Sequence, residues 1–326
     1  MKKHFFLGRL PMLCLCAAAL SFMACSDDDD EGGVPNAGVI PSVAAPITAI
    51  ETPWGDTEHY VYDEQGRLVS GNDNYGSLSI TFSPLAFTYV STSDGYTERW
   101  DNVSTDTRGY MTRARMTYTE EDGYTSSGNL RLTYNADGYL SRIEGTGTEA
   151  GVTYTDAYTF EYEDGKLMRV VNDFSDPEYG NEQYTYTYTY AAAGEYPNSG
   201  IPFYESNIDM SLPFMFLGGY AGRHPSELPV ACREAYSGED GDETSAYAYD
   251  FRYEWTYDAQ GRVATFAETD ENGYQNRAYT YHYGNEGTEA NAQAAAVQRA
   301  TVGTGVKKRP LSVRQRIMAK RARLAR

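Results

Sequence analysis

Residues 59–70 read HYVYDEQGRLVS. The core of this stretch, Y-x-Y-D-x-x-G-R-L, returns at 255–263 as WTYDAQGRV. Looser copies lie at 103–111 (VSTDTRGYM) and 132–140 (LTYNADGYL), and 160–167 (FEYEDGKL) is one residue shorter. A repeated D-x-x-G is either a ligand loop or a way of turning a corner, and turn chemistry decides between them. Glu64 and Gln65 suit the centre of a type I turn, and the Asp63 carboxylate can accept from the amide two residues on. Gly66 can take the left-handed conformation that closes a three-residue hairpin with a bulge. Asn135–Gly138 and Asp258–Gly261 repeat the pattern. The shorter copy instead suits a two-residue type I′ loop at Asp164-Gly165. Losing one residue changes the turn type and keeps the hairpin, a loss that a binding loop would not be expected to tolerate.

Outward from these turns the chain alternates with period two. In QYTYTYTY (183–190), Tyr184, Tyr186, Tyr188 and Tyr190 share one face, and Thr185, Thr187 and Thr189 the other. Similar alternation runs through 57–62, 77–83, 152–162, 246–257 and 277–283, with turn signals such as DNYG, EDGY and DENG between strands. The expected fold is all-β: a large curled antiparallel up-and-down sheet, or a partly closed barrel, of about 14 strands. The 30 Tyr in the chain fit a pleated, half-buried surface. The Tyr face is expected inward, with Thr, Ser and Glu on the opposite face. Copies beginning at 60, 103, 132, 160 and 255 are too unevenly spaced for a solenoid.

The units resemble YD (Rhs-type) repeats, whose chain winds as an antiparallel sheet. Residues 50–285, including GRHPSELP (222–229), also resemble an uncharacterised family of bacterial lipoproteins described as having a porin-like β fold. That resemblance implies a fold and no reaction, so it implies no catalytic residue. A transmembrane barrel needs an apolar outward band with aromatic girdles. Here Tyr runs the whole length of strands, which favours a soluble barrel or sheet.

The ends of the chain give an address. Lys2 and Lys3 precede an apolar run from Leu10 to Ala24, interrupted only by Ser21, which reads as a secretory signal over residues 1–24. The stretch LSFMAC (20–25) resembles a bacterial lipobox, which implies acylation of Cys25 and an outer-membrane lipoprotein of a Gram-negative envelope; the acidic run SDDDDE (26–31) resembles the tag of such lipoproteins displayed on the cell surface. Simple cleavage after Ala24 and a merely solvated tether are the plainer alternatives. Residues 25–50 form the acylated Cys, tether and linker, and 51–286 the single β domain. The insert at 197–230 breaks the alternation. Its apolar IDMSLPFMFL (208–217) is expected to pack as short helices against an open face or end of the sheet, burying Phe214, Phe216 and Leu217. Pro213 forbids a long helix. Residues 287–326 form a partly helical or disordered tail. Its last part, 299–326, holds ten Lys or Arg and no acid, and could dock on the acidic body or on anionic lipid.

All 46 acidic residues lie between the signal and residue 299, which excludes nucleic acid as a partner of the domain. The motifs HExxH, CxxC, GxSxG and the phosphate-binding loop are all missing. His59, His224 and His282 lie far apart; His224, in an irregular loop, is the best candidate for a catalytic set and is more simply a locally satisfied loop residue. Cys232, beside Val230 and Ala231, reads as a buried small hydrophobe rather than a nucleophile. GEDGDE (238–243) suggests calcium but lacks the required spacing and reads more simply as a solvated hairpin tip. No catalytic residue, metal ligand or cofactor is assigned; Cys25 is the single site residue, for lipidation. Tyr rows are expected to be core first, with stacking on sugar rings or a peptide as the alternative. The expected function is a lipid-anchored, non-enzymatic envelope scaffold that binds glycan or protein. Its partners are the membrane, through the anchor, and a glycan or envelope protein, with the oligomeric state left open. The alternatives are a carboxylate-dependent glycoside hydrolase or other hydrolase, and a purely structural or assembly protein.

Overall fold

A computed structural model describes residues 46–284, apart from 53–54, 122, 150–151, 178–179, 204–212 and 241–242. The turns obey their chemistry. Gly66 N donates to Asp63 O at 2.9 Å, Gln65 N and Arg67 N both reach Asp63 Oδ1 at 3.0 Å, and Gly66 sits at φ 73°. The pairing register slips between Val61 and Tyr62, which is the bulge. In the short copy Asp164 and Gly165 take φ 50° and 79°, the two positive values a type I′ loop requires. Arg67 adds a clip that the turn rules do not contain: its Nε donates to Asp63 Oδ2 at 2.6 Å and its guanidinium lies 4.5 Å from the centre of the Phe82 ring. Arg262 repeats this with Asp258 at 2.7 Å and Tyr283 at 4.5 Å.

Among the described residues sixteen strands follow one another. The first eight are β1 (Ile47–Glu51), β2 (Thr57–Tyr62), β3 (Leu68–Asn72), β4 (Gly76–Phe82), β5 (Leu85–Ser91), β6 (Tyr96–Thr105), β7 (Met111–Glu120) and β8 (Thr125–Tyr134). They are followed by β9 (Leu140–Glu149), β10 (Val152–Glu163), β11 (Lys166–Asp176), β12 (Gly180–Thr189), β13 (Ala231–Asp240), β14 (Glu243–Tyr257), β15 (Val263–Asp270) and β16 (Gln275–Tyr283). Each pairs antiparallel with its neighbours in sequence, and β1 pairs with β16 through Ile47 and Tyr283, so the sheet closes. This corrects the expectation of about 14 strands and partial closure. β1 begins at Ile47, inside the stretch that reads as linker, and its partner lies at the far end of the domain. No local pattern signals such a pairing. Closure leaves no unpaired edge.

Because strands alternate in direction, connections alternate between two rims. All five copies of the opening motif fall on one of them, here the lower rim. The residues that follow these turns, Leu68, Met111, Leu140, Leu167 and Val263, are each exposed by 1% or less and form the base of the core. The long connection between β12 and β13 also leaves from this rim and closes it. It contains α1 (Pro213–Leu217), with Pro at the first helical position, where a missing N–H costs nothing. Met215, Phe216, Leu217 and Tyr220 are buried in the barrel end, and Phe87 meets the Tyr220 ring edge-on at 5.1 Å. Burial of Phe216 and Leu217 contributes about 1.5–3 kcal/mol each. The turns themselves seat this cap: Arg223 N donates to Gly138 O and Ser226 N to Gly165 O, both at 2.9 Å, and Met111 N donates to Tyr220 O at 2.8 Å. The insert is thus a plug at one end, as expected. The side chain of Phe214 and the segment 204–212 lie outside the described residues, as do the signal, Cys25, the tether and the basic tail.

Candidate functional site

The inner wall differs between the two halves of the barrel. Below, aliphatic and aromatic side chains fill it. Above, Tyr rings line it, and several lie flat because glycines face them. Tyr154 pairs directly with Gly147, and a Cβ on Gly147 would sit 2.2 Å from the Tyr154 ring. Tyr236 lies over Gly238 and Tyr89 over Gly76, where a Cβ would sit 2.2 and 2.6 Å from the phenol oxygens.

Two aromatic clusters result. On β12–β14, Tyr184 meets Tyr236 at 4.9 Å, Tyr236 stacks on Tyr247 at 4.7 Å and Tyr247 meets Tyr249 at 5.1 Å. On β5–β7, Tyr89, Tyr96 and Tyr118 follow at 6.1 and 4.9 Å. Tyr184, Tyr89, Tyr96 and Tyr118 are half-buried, and Tyr249 is 43% exposed.

Carboxylates stand among these rings, which corrects the expectation that Glu lies on the outward face. Glu98, Asp156, Glu182 and Glu234 are inward and buried. Their neighbours two residues on are Trp100, Tyr158, Tyr184 and Tyr236, and period two puts each pair on one face. Tyr236 Oη donates to Glu182 at 2.7 Å, Tyr118 Oη to Glu120 at 3.3 Å, Trp100 Nε1 to Glu98 at 2.5 Å, and Tyr60 donates to Glu58. The aromatic N–H or O–H supplies the partner that a buried carboxylate requires. Acid-x-aromatic spacing within an alternating strand is the signal that would have revealed this lining. Burial raises the phenol pKa values of Tyr89, Tyr118 and Tyr184, with neighbouring Asp73, Glu120 and Tyr247 adding to it, so all three remain protonated donors.

Midway down the wall Arg277 Nη2 lies 3.2 Å from Glu268, whose side chain is 1% exposed. Burial, the largest single influence, would lower the Arg277 pKa; Glu268, with Tyr253, Tyr279 and Glu234 added, raises it overall and keeps the charge. Cys232 is buried beside them, its thiol pushed up to about 12 by burial, so it is an inert core thiol.

The histidines do not come together. His59 is exposed on the outer wall of β2, and His282, also outward, has Nε2 3.4 Å from Glu51 Oε2. His224 sits in the cap, its buried Nδ1 without a hydrogen-bond partner among the described residues, and burial lowers its pKa to about 4. Glu58 has its pKa raised, by burial first; the Tyr60 hydrogen bond opposes this and Asp73 adds to it. Asp73 already serves its own turn, accepting from Tyr75 N and Gly76 N at 2.8 and 2.6 Å. Residues 241–242 of the GEDGDE hairpin lie outside the described set, and no group of three or more potential metal ligands occurs among the described residues.

The outer wall is polar. Thr185, Thr187 and Thr189 on β12 face out, as do Arg113, Arg115 and Thr117 on β7, and the large exposed apolar side chains Val61 on β2 and Val90 on β5 stand apart from one another. No described helix is long and apolar enough to cross a membrane.

Solved structures share this fold, among them two porin-like proteins. A porin-like protein from Bacteroides uniformis matches with a TM-score of 0.52 at 17% identity, over 76% of this chain and 99% of its own. A porin-like protein from Bacteroides vulgatus matches with a TM-score of 0.54 at 13% identity, over 74% and 99%. No family model and no curated protein matches the chain. At these identities the likeness is one of fold: an antiparallel barrel of porin-like type.

Proposed function

We propose that the protein is a lipid-anchored barrel of the Gram-negative envelope, held through Cys25, that binds a carbohydrate on the Tyr and carboxylate lining of its upper half. One observation carries the reading: the half-buried rings of Tyr184 and Tyr247 stand against the buried Tyr236, whose Oη donates to the inward Glu182 at 2.7 Å. Phenols supply donors and carboxylates acceptors, while the ring faces supply stacking surface. That is the set a polyhydroxylated ring requires. The porin-like neighbours and the lipobox-like LSFMAC support an envelope address.

A membrane-spanning channel is disfavoured by the outer wall. A lipid-facing Arg near the bilayer midplane costs about 2–4 kcal/mol, and β7 alone presents Arg113 and Arg115 outward. A hydrolase is the second reading, motivated by the raised Glu58 pKa with Asp73 nearby. Glu58→Gln abolishing turnover of a bound oligosaccharide would favour it.

The full chain is tested against neutral oligosaccharides by array and calorimetry. Tyr184→Ala and Tyr247→Ala are expected to weaken binding about tenfold each without lowering the melting temperature by more than a few degrees. Absence of binding to any glycan overturns the reading. For the anchor, Cys25→Ala should release the chain from salt-washed membranes, and retention there would argue against lipid anchoring.

A further inference from the structure

We propose that the outer wall of β6–β9 is a docking surface for an anionic phospholipid membrane, centred on Arg113 and Arg131. The inference is independent of what the barrel interior binds.

The register places the residues. Arg113 on β7 pairs directly with Arg131 on β8. Arg115, next outward on β7, lies opposite Asp101 of β6, and Arg131 lies opposite Glu144 of β9. Both acids are already engaged, Asp101 by Arg99 at 3.2 Å and Glu144 by Arg142 at 2.7 Å. Five arginines therefore share two carboxylates on this wall. Arg113, Arg115 and Arg131 are exposed and have no ion pair within 4 Å among the described residues.

This is the reverse of what the composition leads one to expect. The chain carries 46 acidic against 27 basic residues, and other outward arginines do meet acids, as Arg169 meets Glu161 at 3.1 Å and Arg233 meets Asp250 at 2.9 Å. Like charges directly opposite on a sheet destabilise it. An external anion would reverse the sign of that contact, since guanidinium forks bind phosphate oxygens in pairs. Arg113, Arg115 and Arg131 spread over two neighbouring strands, so the complementary object is an extended array of phosphates rather than one small ion. At physiological salt charges are screened over about 8 Å, so the local patch governs the contact rather than the net charge of the molecule.

The test uses the full chain with Cys25→Ala, so that no acyl chain inserts, cosedimented with vesicles of phosphatidylcholine alone or mixed with phosphatidylglycerol. The parent is expected to prefer the anionic vesicles and to lose that preference in high salt. Arg113→Glu with Arg131→Glu should weaken the partition at least about tenfold, with an unchanged melting temperature. Arg252→Glu, the same kind of reversal at an exposed outward position of β14, should have much less effect. The basic tail is present in every variant, so its contribution cancels. Equal loss in Arg252→Glu, an unaffected double variant, or no preference for anionic lipid overturns the proposal. Loss of soluble polyuronate binding in the double variant with vesicle binding intact also overturns it, in favour of an anionic polysaccharide.

Discussion

Tyr154 lies flat against Gly147, its directly paired neighbour across β9 and β10, at a distance that leaves no room for a Cβ. Gly147→Ala should therefore destabilise the barrel by about 1–3 kcal/mol through overpacking and lift the Tyr154 ring from the wall. Denaturant unfolding of the variant checks the first effect, and unchanged stability would remove the structural role given to this pair.

The hairpin clip predicts a pH dependence. Hydrogen bonding to Arg67 is the main cause that holds the Asp63 pKa below its ordinary value, with the Arg67 and Gln65 amides assisting and burial opposing. A carboxylate depressed in the folded state adds stability above its unfolded pKa, about 3.9, and loses that contribution as pH falls through the folded value. Asp63→Asn keeps the acceptor for the turn, as Asn135 does naturally at 2.9 Å from Tyr139 N. It should fold normally and show a shallower acid limb. Asp63→Ala should lose about 1 kcal/mol at neutral pH. Melting curves from pH 2.5 to 7 separate the three proteins.

Phe216→Ala tests whether the cap is core. Its ring is 1% exposed, and truncation should cost about 3–5 kcal/mol. Hydrogen exchange should rise first at Met111 N and Arg223 N, which bond across the cap seam. A loss under 1 kcal/mol would make the segment a detachable lid.

His224 predicts acid sensitivity at a different pH. With its folded pKa lowered to about 4 by burial, it is neutral above about 6.5 in both states. Below that the unfolded chain takes up a proton that the folded chain does not, so stability falls between about pH 6.5 and 4. The loss is at most about 3 kcal/mol. His224→Leu should flatten this window, as read from denaturant midpoints at pH 7 and 4.5.

Local chemistry was legible in the sequence and distant geometry was not. Asp63, Gly66 and the Asp164-Gly165 pair gave both turn types, because a turn is decided within four residues. The 183–190 row gave the inward Tyr face for the same kind of reason. Closure was hidden because Ile47 finds Tyr283 only after every intervening strand has been laid down. The site was half visible. The inward Tyr face is legible, but polarity puts Glu as a residue type on the opposite face, whereas the spacing of Glu98 and Glu182, two from Trp100 and Tyr184, puts them on the aromatic one. That the five motif turns share one rim, where the turns at Gly138 and Gly165 bond to the cap, needed the strand count to be right first.

The closure between β1 and β16 has a further consequence. Gly284 N reaches Pro46 O at 3.4 Å, so the barrel is in effect a ring with a single cut. Joining 284 to 46 by a short linker and reopening the ring at the turn after Asp270 would leave every strand with the same two neighbours. A circularly permuted chain of that kind should fold to the same barrel, with its new ends at the open rim instead of the filled one.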